Sequence, residues 1–255
     1  MSAILAIARS TFREAVRDRV LFLVLGFAAA ALALSKLLAP IALGEGPRIT
    51  VDLGLSALGL IGIAIVVLVG TQLVHKELER RTIHVVLSRP VSRTQYLVGK
   101  WAGLTATMAA AVFAMAIVLM AIGASMRGPA IIGPIAQATL MIASANALLA
   151  ALAVLFSSLS TPVLSIAYTM GIYATGYWTA DLRAFASQMP GLVGTVMRGA
   201  SYLLPNLELF NLRSQVAHGE GASVIHLALA FGYAGAYVAA ALALAVIAFE
   251  RRELK

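Results

Sequence analysis

The chain has 255 residues, 61% hydrophobic and 12% charged, with a formal charge of +8 and no cysteine. A mean hydropathy of +0.92 excludes a soluble globular domain, in which about 25% of residues are charged and large apolar patches are not exposed. The missing cysteine excludes disulfides, thiolate zinc sites and iron–sulfur clusters, and the positive charge reads as basic loops facing anionic lipid, not as a nucleic-acid surface, since no basic patch carries interleaved aromatics.

Residues 3–19 read AILAIARSTFREAVRDR. Leu5, Ala8, Phe12 and Val16 recur at helical spacing, and Arg9, Arg13 and Arg17 form a basic line. The pattern predicts an amphipathic helix lying in the headgroup plane. A cleavable signal is the competing reading, because Leu21 to Ala33 is apolar and Ala31-Leu32-Ala33 resembles a cleavage site. A removable signal has a short basic lead, whereas this lead is long and amphipathic, and the apolar run continues to Leu43. An uncleaved first span is expected.

An apolar run of about 20 residues crosses the hydrocarbon layer as a helix. Such runs place spans at about 20–42, 53–74, 96–124, 131–157, 162–180 and 222–249. Glu45, Pro47 and Arg48 form a polar link after the first, and Arg127, Gly128 and Pro129 separate the third from the fourth. The fourth and fifth meet at the uncharged turn Ser157 to Pro162, with Ser160 or Thr161 capping and Pro162 in the first turn. Residues 181–221 are long for a connection. Leu192, Val196, Ala200 and Leu203 repeat at helical spacing there, which predicts one or two short helices at the outer face.

Orientation follows from lysine and arginine. With the N-terminus inside, the inner segments hold Arg9, Arg13, Arg17, Arg19, Lys76, Arg80, Arg81, Arg89, Arg93, Lys100, Arg251, Arg252 and Lys255. The outer side holds Lys36, Arg48, Arg127, Arg183, Arg198 and Arg213. Both termini and the charged 76–95 loop are therefore expected in the cytoplasm.

That loop is organised. Lys76 to Leu87 has the pattern of a short helix, Pro90 ends it, and Ser92-Arg93-Thr94-Gln95 is a capping box opening the next helix. On these grounds alone a rigid cytoplasmic lever and an ordinary solvated loop are equally good readings.

The pattern Glu77-x-Glu79-x-x-Thr82-Ile83-x-x-x-Leu87-Ser88-x-Pro90-x-Ser92-Arg93, followed by Gly99-Lys100, resembles the loop after the second span in ABC-2 type transporter permeases. It is most similar to the branch containing the permease of nitrous oxide reductase (copper enzyme) maturation systems. The resemblance extends to the leader ending Arg13-Glu-Ala-Val-Arg-Asp-Arg19 and to the tail Glu250-Arg-Arg-Glu-Leu254. Arg80-Arg81 stands before Thr82, where the family frequently has a glycine. The resemblance implies an all-α integral membrane protein of six spans, with an N-terminal elbow helix and a cytoplasmic coupling helix between spans two and three. It further implies a permease dimer, expected to be a homodimer in a bacterial or archaeal plasma membrane, that docks two ATP-binding cassette ATPase subunits. Glu77, Glu79, Arg80, Arg81, Thr82 and Arg93 are then the residues facing the ATPase, with Pro90 and Ser92 setting the geometry of the loop.

No G-x-x-x-x-G-K-[ST] run exists, and the hydrophilic segments are too short for a nucleotide-binding domain. ATP and magnesium are accordingly expected on the partner and no cofactor on this chain. In the membrane, Ser165, Thr169, Tyr173 and Tyr177 fall at i, i+4 spacing along the fifth span, and Asn146 lies midway along the fourth. These five are candidates for a translocation path; interhelical hydrogen bonding and an aromatic belt are the plainer reading of the same residues. Met108 and Met115 align on the third span but Met120 does not, and His75, His84, His218 and His226 show no ligand spacing, so no metal site is expected. No acidic pair, G-x-S-x-G or H-E-x-x-H lies within a span, so no catalysis is expected. A permease subunit, most simply an exporter, is the expected function; a non-transporting membrane anchor that recruits a cytoplasmic protein is the alternative.

Overall fold

The computed structural model describes residues 3–17, 45–70, 92–189 and 191–251, with isolated positions 22, 26, 29, 30 and 33. Among the described residues every regular element is helical. Apart from those isolated positions the expected first span lies outside them, as does all of the 76–95 loop before Ser92, which includes Glu77, Glu79, Arg80, Arg81, Thr82 and Pro90.

The leader forms α1 (Ala3–Val16). The next helix, α2 (Gly46–Ile65), starts before the position expected from hydropathy, because Pro47 belongs to its first turn. Proline is at home there, since the amide it lacks has no intrahelical partner. Arg48 and Ile49 donate their amides to the Glu45 carbonyl at 3.0 and 3.1 Å, and the Arg48 guanidinium pairs with the Glu45 carboxylate at 2.9 Å. The helix ends as a π-helical turn, Val66–Gly70.

Ser92 caps α3 (Arg93–Arg127) through the capping box: its hydroxyl accepts from the Gln95 amide and its amide donates to the Gln95 side chain, both at 3.2 Å. The 35-residue rod runs unbroken to Gly128, where a φ of +84° favours glycine. A 3-10 turn (Pro129–Ile131) leads into α4 (Ile132–Leu159). Leu148, Leu149, Ala150, Ala151, Ala153 and Val154 are all buried, so the stretch of α4 from 148 to 154 is covered on every side and lies at the centre of the bundle.

The fifth span, expected at 162–180, is instead the 15-residue α5 (Pro162–Gly176). At 1.5 Å per residue it is about 22 Å long, less than a hydrocarbon core of about 30 Å. It stops because the chain returns across its end: the Leu207 amide donates to the Gly176 carbonyl at 2.9 Å, and a Cβ at 176 would lie 2.7 Å from the Leu207 side chain. Two short helices follow, α6 (Thr179–Gln188) and α7 (Gly191–Leu203), then a 3-10 turn (Glu208–Phe210) and α8 (Arg213–Ala217). The last element is α9 (Val224–Arg251).

Four of these helical stretches are long and apolar enough to cross a membrane: Gly46–Gly70, Arg93–Arg127, Pro129–Leu159 and Val224–Phe249. With no hydrophobic drive between helices in lipid, they associate by close packing at small residues. Gly54 of α2 abuts Leu119 of α3, and Gly70 abuts Leu104.

Candidate functional site

Two polar clusters interrupt the apolar bundle, one at each end. At the end where α3 begins, three elements converge on its first three turns. Arg93 donates to the Phe249 carbonyl of α9 at 3.3 Å and lies 6.0 Å from that residue's ring. One turn on, Tyr96 stacks against the Phe249 ring at 6.1 Å. Lys100 is buried with its ammonium 5.8 Å from the Tyr96 ring, and the Trp101 indole donates to the Ala147 carbonyl of α4 at 3.0 Å.

The other side of the same turns carries α1. Gly99 and Gly103 form a G-x-x-x-G face: a Cβ at 99 would lie 2.8 Å from Ile7, and one at 103 would lie 2.7 Å from the Ala8 carbonyl oxygen. Thr11 and Ala15 are buried against this face. The basic line Arg9, Arg13 and Arg17 is left exposed. The start of α3 is thus clamped between the leader and the last helix, so a displacement applied ahead of Ser92 would act on a stiff rod and on two neighbours together. Of the expected coupling residues, the structure describes Ser92, as the cap, and Arg93, as the tie to α9.

The opposite end holds a cleft of about 120 Å³ between α2, α4, α5 and the segment around Arg213. Tyr173 and Tyr177 line it, their rings 5.4 Å apart and edge to face. Arg213 enters from the other side and is held in a fixed pose: Nη1 donates to the Ser56 hydroxyl at 2.9 Å and Nε donates to the Asn211 side-chain oxygen at 3.0 Å. Ser56 in turn donates to the Asp52 carbonyl at 2.8 Å. Asn211 stands between Arg213 and Glu208, whose carboxylate accepts from the Asn211 amide nitrogen at 3.0 and 3.2 Å.

A second amide, Asn206, ties the neighbouring elements together. The Asn206 side-chain oxygen accepts from the Thr179 hydroxyl at 3.1 Å and the Glu208 amide at 3.2 Å, and the Asn206 amide donates to the Tyr233 phenol at 2.8 Å. Polar groups otherwise costly to bury are thereby paired.

The five path candidates separate. Tyr173 and Tyr177 meet in the cleft. Ser165 and Thr169 are buried and donate within the chain, to the Thr161 and Ser165 carbonyls at 2.9 and 2.7 Å. Asn146 is buried with its side chain against Gly62 of α2. Ser56, Asn211 and Arg213 were not singled out from the sequence. Their only sequence signal is weak: an arginine and an asparagine inside a connection longer than a turn requires.

The family model described as "ABC-2 family transporter protein" matches residues 5–254. No curated protein matches the chain. The match spans nearly the whole sequence, including both ends of the α3 clamp, and the chain belongs to the ABC-2 transporter family.

Proposed function

We propose that this member of the ABC-2 family is the membrane-spanning permease subunit of an ATP-binding cassette transporter, working as an exporter. A separate ATPase drives it by pushing the 76–95 loop, with Glu77, Glu79, Arg80, Arg81, Thr82 and Arg93 facing the motor and Pro90 and Ser92 setting the loop's geometry. Two ATPase subunits serve a permease homodimer, and ATP and magnesium bind on the ATPases. Membership of the family supports reading this chain as a non-catalytic membrane subunit.

The observation that carries the reading is the clamp at the start of α3. The capped first turn continues without a break into a 35-residue helix and is tied to α1 and α9 at the same place. A force delivered just before Ser92 would be transmitted along α3 to the far end of the bundle, where Tyr173 and Tyr177 stand in the cleft. The basic face of α1 lies at the cytoplasmic headgroups of the inner membrane, and both termini are cytoplasmic. The exposed Leu192, Val196 and Leu203 of α7 lie in the outer leaflet.

The test is ATP hydrolysis by the reconstituted pair. A P-loop ATPase encoded beside this chain, co-purified with it and incorporated into liposomes, should hydrolyse ATP faster with the permease than without it. Failure of any such ATPase to associate would favour a membrane anchor.

A further inference from the structure

The far-end cleft combines features that the packing of helices does not require. Arg213 is half-buried and rigidly held, yet among the described residues it forms no ion pair. Among the described residues its side-chain acceptors are two neutral oxygens, and Nη2 makes no hydrogen bond. Glu208 is exposed, shares the Asn211 side chain with Arg213, and acts electrostatically on Tyr177 as well. Tyr173 and Tyr177 lie within electrostatic reach of the Arg213 charge, and among the described residues neither phenol makes a hydrogen bond. Three donors with unspent capacity therefore border one small space, and the space has apolar walls at Leu55 and Ile142.

We infer that this cleft is an anion-receiving site, in which the Arg213 guanidinium and the Tyr173 and Tyr177 phenols hold a phosphate or carboxylate group. A guanidinium pre-set by two hydrogen bonds loses little freedom on binding and offers a planar edge suited to paired oxygens. The apolar walls lower the local dielectric, which strengthens each bond to a charged oxygen. A volume of about 120 Å³ equals roughly four waters at about 30 Å³ each, which accommodates one such group and not a large solute. The inference goes beyond the permease reading, since binding is a property of this chain with or without a motor.

The anion has two possible sources, a lipid headgroup or a free solute, and the experiment separates them. The purified full chain is placed in phosphatidylcholine nanodiscs, and its thermal unfolding midpoint is followed as inorganic phosphate is added. A parallel set of nanodiscs contains phosphatidylglycerol and no phosphate. Stabilisation is expected in at least one arm: a response to phosphate identifies a free anion, and a response to phosphatidylglycerol alone identifies a headgroup.

Arg213→Gln should weaken the response by about tenfold or more, the equivalent of one charge-assisted hydrogen bond. Tyr173→Phe with Tyr177→Phe keeps both rings and should weaken it roughly threefold or more. Equal responses in the parent and Arg213→Gln, or no response in either arm, would overturn the inference. Where Arg213→Gln does not fold, the double phenylalanine variant decides: an unchanged half-saturation point overturns the site. No ATPase is present, so a negative result here leaves the coupling reading standing.

Discussion

Gly62 of α2 is packed directly on Asn146 of α4, so closely that a Cβ at 62 would overlap the Asn146 side-chain amide. The contact explains a polar side chain in the apolar middle of the bundle: it is seated on exposed backbone that only glycine provides. Gly62→Ala should therefore destabilise the chain by about 1–3 kcal/mol, the usual cost of overpacking. Asn146→Ala in the same chain should recover much of that loss, because the two sites share one space. Thermal unfolding of the single and double variants in detergent measures the coupling; strictly additive effects would contradict the contact.

The G-x-x-x-G face should hold α1 in place. Gly103→Val introduces a branched side chain where a single Cβ already lies 2.7 Å from the Ala8 carbonyl oxygen. Because the chain has no cysteine, a lone Ala15→Cys reports on this seat: it is buried when α1 is docked. Maleimide labelling at position 15 should be slow in the parent and at least several-fold faster with Gly103→Val. Equal rates would mean that α1 is held by something else.

Removing the cap should loosen the first turn of α3. Ser92→Ala forfeits the bond to the Gln95 amide, a loss of about 1 kcal/mol. Hydrogen exchange at the amides of 93–96 should speed up while the middle of α3 is unchanged, and Ser92→Asp should restore protection.

If the loop is the handle of a motor, Arg93 transmits its movement through the tie to Phe249. Arg93→Gln should weaken ATPase association less than a charge reversal at Glu79 and lower the permease-stimulated hydrolysis several-fold. Glu79→Lys should weaken association itself, read by detergent pull-down. Unchanged co-purification and hydrolysis in Glu79→Lys would count against the loop as the docking element.

Orientation is open to a direct check. A single cysteine at position 79 should react with a membrane-impermeant maleimide only after the cells are opened, whereas one at Leu203 should react in intact cells. The reverse pattern would invert the proposed topology and remove the loop from the cytoplasm.

Hydropathy and local pattern were enough to read the membrane class, four of the six expected spans as long apolar helices, a helix in the leader and the Ser92 capping box. Those are properties of run length and of side chains three or four positions apart, which the chain carries along a single dimension. The end of α5 was not legible, because nothing in Thr175-Gly176-Tyr177 announces that Leu207 will close over it. The fate of the polar stripe was equally hidden. Ser165 and Thr169 share the spacing of Tyr173 and Tyr177, yet two hydroxyls satisfy their own helix and two phenols face a cleft.

Most of that cleft is made by partners distant in the chain. Arg213 reaches Ser56 across 157 residues, and no periodicity links such positions. Apolar run length therefore determined from the sequence alone that this chain lives in a membrane as helices. Where polar groups are spent and where they are left available was decided only when the helices packed, since burying a hydroxyl or a guanidinium depends on which neighbour arrives to meet it.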